Sequence, residues 1–242
     1  NSQRVHFNYV KHFLGTTMDR SLLKAHLAVM TAVVIWATSF IALKVAIGEV
    51  APMVVVFFRM VIGSLAFLVV WPWIRNGINY QAGDWKLLSA MALLEPCLYF
   101  IFEAQAMRFT SAGQAGMVTS MLPLMVAVAA YFHLKERNTP RQWVGLIIAV
   151  LGVVWMTLSG TESEQAPNPV LGNLLEFGAM VTAVGYTLLI KQLVQRYSAF
   201  VLTAIQTFVG TIFFLPLALS SDWPTDISFN AVSSIVYLGL VV

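Results

Sequence analysis

Charge is what this chain has least of: 10% of its 242 residues are Asp, Glu, Lys or Arg, while 59% are hydrophobic. Soluble domains carry about 25% charged residues, and 14 basic plus 11 acidic side chains cannot cover a soluble core of this length. Cysteine is nearly absent. Cys97 stands alone, which excludes an intrachain disulfide and a cysteine-cluster metal site. Histidine is sparse as well: His6, His12, His26 and His133 lie near the ends of apolar runs, and neither His-Glu-x-x-His nor Gly-x-Ser-x-Gly occurs. With no evident nucleophile and base pair, a membrane enzyme acting on lipid-linked groups is disfavoured. No catalytic residue, cofactor or metal is expected. The sequence pI of about 9.1 does not point to nucleic acid, because the basic residues are scattered singly between apolar runs.

What is present is a succession of apolar runs of spanning length, with a mean hydropathy of +0.78. They predict an all-α integral membrane protein whose first partner is the lipid bilayer. The runs cover about 25–47, 51–73, 85–109, 112–134, 142–159, 170–193 and 200–219; an eighth begins near Ile227 and is still apolar at Val242. The chain is therefore read as a fragment, with Met18 as a plausible start. Placing the amino terminus in the cytoplasm puts Arg4, Lys11, Arg20, Lys24, Arg75, Lys86, Lys135, Arg137, Arg141, Lys191 and Arg196 on that side. Only Arg108 remains in the opposite loops, which carry Glu49, Glu162, Glu164, Asp222 and Asp226. This is the positive-inside distribution expected of a multi-pass protein of a cell (inner) membrane.

The run 85–109 carries Glu95, Tyr99 and Glu103, which fall on one face at helical spacing. If the run enters the bilayer near Lys86, Glu95 lies roughly 14 Å deep, about the midplane. A carboxyl there is costly and is expected to border a wet cavity. Pro96 removes a backbone donor beside it and predicts a kink. Arg59 sits roughly 12 Å from the outer surface, a similar depth, and predicts a structural ion pair with Glu95. Glu103, nearer the surface, is either a substrate contact or simply solvated. Glu176, with Met180 and Thr187 on its face, is a second candidate for the cavity wall. Lys44 and Lys191, near span ends, are expected to snorkel. Gly145, Ala149 and Gly152 predict close helix packing in the fifth run.

Displacing the sequence by 147 residues lays Trp36–Lys44 on Ala183–Lys191 and Arg59–Gly63 on Gln206–Gly210, with Lys44 on Lys191 and Gly63 on Gly210. A unit of five spans is odd in number, so a second copy lies upside down in the membrane. The motifs of the first unit then become specific in their order: Trp36 to Lys44 as Trp-Ala-Thr-Ser-Phe-Ile-Ala-Leu-Lys, Pro52, Arg59, Ala106 to Ala112 as Ala-Met-Arg-Phe-Thr-Ser-Ala, Leu122-Pro123, Glu136-Arg137 and Gly145 to Val153. This order resembles the first repeat of the drug/metabolite transporter superfamily, EamA type. The resemblance covers most of 25–156 and continues more faintly over 172–219.

It implies a ten-helix inverted-repeat (5+5) transporter fold, of which about seven and a half helices are present. The organisation expected is a cytoplasmic segment 1–24, a first repeat 25–159, an extracytoplasmic linker 160–169 and a truncated second repeat 170–242. It also implies export or exchange of small polar metabolites, often amino acids, by alternating access around a central cavity. The expected substrate-binding set is Glu95, Tyr99, Glu103, Trp36, Ser39, Gln114, Glu176 and Tyr186, with plain packing open for Trp36, Ser39 and Tyr186. A non-transporting membrane scaffold is the alternative, and it predicts that polar midplane residues tolerate apolar replacement.

Overall fold

In the computed structural model, residues 20–75, 78–135 and 139–242 are described, and helices occupy all the apolar runs. Most of the expected segment 1–24 and the Glu136-Arg137 pair lie outside the described residues. The helices are α1 (Arg20–Ile47), α2 (Pro52–Ile74), α3 (Asp84–Ala92), a π-turn at Leu93–Leu98, α4 (Tyr99–Phe109), α5 (Ala112–Thr119), α6 (Leu122–Leu134), α7 (Pro140–Ser159), α8 (Pro169–Leu193), α9 (Ala199–Leu219) and α10 (Phe229–Leu240). Because α3, the π-turn and α4 follow one another without a loop as one interrupted span, and α5 runs on into α6, these make seven segments long and apolar enough to cross a bilayer, plus the shorter α10.

The ends of these helices are written locally. Pro52, Pro140 and Pro169 open α2, α7 and α8, where the missing N–H is one the helix cannot use. Ser111, Asn168, Ser198 and Ser228 each accept a backbone N–H of the first turn of α5, α8, α9 and α10, and Thr139 with Gln142 forms a capping box on α7.

The chain divides into two units, 1–38 and 39–242. The described part of the first is the opening of α1, where Leu22, Leu27, Val29, Met30, Val33 and Val34 are exposed. That surface suits lipid tails rather than water. Trp36 belongs to this unit and is half-buried.

In the second unit burial runs opposite to that of a soluble protein. Arg59, Glu103, Thr119, Asn173, Glu176, Gln206 and Thr207 are buried, while Leu65, Val69, Ile147, Leu151, Trp155 and Ile212 are exposed. Lipid solvates aliphatic side chains and leaves polar groups no partner, so the polar groups turn inward. Helix α2 packs along α9, and α4 along α8. Val56, Met60, Tyr99, Phe100, Ala104, Val118, Ala179, Met180, Ala183 and Phe214 fill the centre, and Met91, Leu193, Tyr197, Val201 and Leu202 one end.

Helix α7 departs from expectation. None of its residues is buried, and a Cβ added at Gly145 or Gly152 meets nothing within 4 Å. Its small residues do not make the close approach expected: Ala149 and Gly152 border a gap shared with Met117, Ser120 and Met121, while Ile148, Leu151 and Trp155 face outward.

Candidate functional site

The third span is broken where its acid sits. Glu95 leaves helical geometry with φ −144° and ψ 117°, next to Pro96, which has no N–H to give. The carbonyl of Glu95 accepts instead from the side-chain amide of Gln206 on α9, at 3.0 Å. Backbone that leaves the helix in mid-membrane is tolerated where other groups satisfy it or where it lines a cavity, and both hold here. Glu95, Pro96, Arg59, Phe100, Gln206 and Thr207 line a cavity of about 230 Å³ between α2, α4, α9 and α10.

The break interrupts the helix between Glu95 and the rest of its stripe, although Glu95 stays within electrostatic reach of Tyr99 and Glu103. Tyr99 and Glu103 remain one helical turn apart on α4, and the Tyr99 hydroxyl donates to Glu103 Oε1 at 2.9 Å. The other oxygen of Glu103 lies 3.8 Å from the Arg59 guanidinium. Arg59 thus pairs with Glu103 rather than with Glu95, and it stacks 4.2 Å above the Phe100 ring centroid. Glu103, expected nearer the surface and open to solvation, is 3% exposed. Position along the span does not decide exposure: α4 packs along α8 and turns Glu103 into the packed centre.

On α8, Glu176 is fully buried. The Thr119 hydroxyl donates to its Oε1 at 2.8 Å, and among the described residues its Oε2 has no hydrogen-bond partner. Glu103 is close enough to both Glu95 and Glu176 to act on them electrostatically. Glu103 therefore sits between two further carboxyl groups, Glu95 and Glu176, and the Arg59 guanidinium pairs with Glu103 alone among the described residues. Such an excess of acid calls for a cation or protons to balance it.

Of the remaining candidates in the second unit, Tyr186 joins this site and the others lie apart from it. Ser39 is buried in the second unit. Tyr186 is half-buried on α8, packed against the Met91 and Leu193 cluster, and its hydroxyl hydrogen-bonds the Gln206 side chain within electrostatic reach of Glu95. Gln114 is at the far end of α5, where the Thr110 hydroxyl lies 2.7 Å from the side-chain amides of both Gln114 and Asn173. Asn173 in turn donates to Thr157 at 3.0 Å. At that same end Lys44, rather than snorkelling, is half-buried and donates to the carbonyls of Met107, at 2.5 Å, and Thr110, at 2.8 Å. A cation there completes the unsatisfied carbonyl end of α4.

Gln206 and Thr119 were not among the residues the sequence singled out. For Gln206 a signal existed: it falls on Arg59 in the 147-residue displacement, and the two line the same cavity. For Thr119 nothing local distinguished one hydroxyl on an apolar helix from another.

A helical bundle with an apolar exterior, a broken span and ionisable groups turned to an interior cavity is a multi-pass membrane transporter. The family model of the EamA-like transporters matches residues 23–158 and 170–242, and the chain belongs to that family. Among its relatives is an "Uncharacterized transporter" of Archaeoglobus fulgidus, 28% identical over 221 residues that cover 90% of this chain and 75% of the relative. Another is the "Uncharacterized transporter YetK" of Bacillus subtilis, 25% identical over 239 residues, 97% of this chain and 72% of the relative. A crystal structure superposes with a TM-score of 0.60 at 19% identity, covering 87% of this chain and 71% of that one. It shows the fold. The activity is transport, not catalysis.

Proposed function

We propose that this transporter exports or exchanges small amine-bearing metabolites, amino acids above all, by alternating access around the Glu95 cavity. The observation that carries the reading is that Glu95 on the π-turn, Arg59 on α2 and Gln206 on α9 line one cavity. An ammonium group is matched by the Glu95 carboxylate and a carboxylate by the Arg59 guanidinium, with the Phe100 face beside them. The cavity of about 230 Å³ is lined on its other side by residues 238–242. Glu103 and Glu176 stand behind the Glu95 wall and hold the acid excess that a cationic group offsets.

The two stretches matched by the family model, on either side of 159–169, support the reading of one five-span repeat at 25–159, a linker at 160–169 and a second repeat from 170. The basic loops support a cytoplasmic amino terminus in a cell membrane.

The test is uptake of a radiolabelled amino acid mixture by proteoliposomes containing the full-length protein. Accumulation above protein-free liposomes, lowered at least tenfold in Glu95→Gln, is the expected result. Equal uptake with and without protein, or unchanged uptake in Glu95→Gln, overturns the reading.

A further inference from the structure

Two polar contacts at opposite ends of the bundle are made by equivalent positions of the two halves. Glu49, in the turn between α1 and α2, accepts from the Ser228 backbone N–H at 2.8 Å and the Ser228 hydroxyl at 2.7 Å, at the start of α10. Arg196, in the turn between α8 and α9, forms an ion pair with Asp84, the first residue of α3. The second oxygen of Asp84 accepts from the Tyr197 hydroxyl at 2.8 Å and the Gln81 N–H at 3.0 Å. Glu49 and Arg196 are separated by the repeat interval of 147 residues, and so are Gln81 and Ser228.

That interval has a physical counterpart inside the bundle. The hydroxyls of Ser64 on α2 and Thr211 on α9, 147 residues apart, are 2.9 Å from each other. A Cβ added at Gly63 would come within 3.0 Å of Thr207, and one added at Gly210 within 2.5 Å of Met60; Gly210 is the equivalent of Gly63, and Thr207 of Met60. A residue that meets its own equivalent, flanked by contacts that interchange, marks a two-fold relation. Because five spans separate equivalent positions, this two-fold exchanges the membrane faces.

We propose that the Glu49–Ser228 contact and the Arg196–Asp84–Tyr197 contact are the two gate latches of the transporter, one at each face, and that they open in alternation. Each latch ties the first turn of one half to the helix that opens the third span of the other. Both are closed in this structure. In an inverted-repeat carrier the two access states arise by exchanging conformations between the halves. A contact released at one face is therefore kept by its equivalent at the other. The two differ in strength: the Asp84 latch is an ion pair on an acid 3% exposed, whereas the Glu49 latch joins an exposed carboxylate to neutral donors. The Glu49 face is the easier one to open.

The inference rests on the alternating-access reading, but its test needs no substrate. Full-length protein with Cys97→Ala, any further cysteine likewise replaced, and Thr207→Cys at the cavity is labelled with a membrane-impermeant maleimide from each face, in right-side-out and inverted vesicles. Asp84→Asn raises the labelling rate from the Asp84 face about tenfold, and Glu49→Gln raises it from the Glu49 face, the population change that loss of one contact produces. Arg196→Lys and Glu49→Asp retain most of the original rate. As a check independent of folding effects, a reducible crosslink between cysteines replacing Glu49 and Ser228 blocks labelling from that face, raises it from the other, and reverses on reduction. Latch variants that leave both rates unchanged, or raise both equally, overturn the latches while leaving alternating access standing. A cavity cysteine sealed from both faces in every variant overturns alternating access itself.

Discussion

The Arg59 guanidinium lies 3.8 Å from Glu103 and not against Glu95, the acid with which it shares a cavity. The pair is buried on both sides, so neither charge is solvated without the other. Arg59→Met is expected to cost about 3–5 kcal/mol by stranding the carboxylate. Glu103→Gln in the same chain recovers part of that loss, with a coupling of about 0.5–3 kcal/mol in a double-mutant cycle of unfolding in detergent. Arg59→Met combined with Glu95→Gln shows the smaller coupling. The reverse order would assign the ion pair to Glu95.

Two glycines predict opposite responses to the same methyl group. At Gly210 an added Cβ falls 2.5 Å from the Met60 sulfur and 2.9 Å from Pro96, between packed helices. Gly210→Ala therefore overpacks and loses about 1–3 kcal/mol, which Met60→Ala in the same chain relieves. At Gly145 nothing lies within 4 Å, and Gly145→Ala gains up to about 1 kcal/mol of helix propensity. Thermal unfolding midpoints of the three variants measure this.

Glu176 depends on one hydroxyl. Thr119→Val removes the donor at 2.8 Å and leaves both carboxyl oxygens without a partner among the described residues. A loss of about 0.6–1.7 kcal/mol is expected from hydrogen bonds between membrane helices, and Thr119→Ser recovers it. Equal stability of Val and Ser variants would show that the bond contributes nothing.

The two face contacts respond to opposite ends of the pH scale. The Ser228 hydroxyl, then the Ser228 backbone N–H, hold the Glu49 carboxyl below its ordinary range, against the smaller effect of burial. Its share of the contact is present above the unfolded glutamate value of about 4.3 and is lost as pH falls through the lower folded value. For Tyr197, burial first, then the Asp84 hydrogen bond and charge, push the phenol up to about 12. Its share is complete below the unfolded value of about 10 and is lost as pH rises through about 12. Phenolate absorbance of wild type minus Tyr197→Phe shows a step near pH 12; a step near 10 would contradict the contact.

The class of protein was legible in composition alone, because lipid demands apolar runs of a set length and forbids charge outside a few inward positions. The run boundaries, the proline and serine helix starts and the acids at Glu95, Glu103 and Glu176 could be read along the chain, since each is a local consequence of its own neighbours. Which acid Arg59 meets could not. Helical spacing treats Glu95, Tyr99 and Glu103 as one continuous stripe, and only the tertiary structure shows the break at Glu95, where Gln206, more than one hundred residues away, satisfies the freed carbonyl. The gap that the small residues of α7 leave beside Met117 and Met121, the buried turn of Lys44 toward α4 and the partnership of Thr119 with Glu176 were likewise settled by packing. They depend on which helices become neighbours, and no residue carries that information by itself.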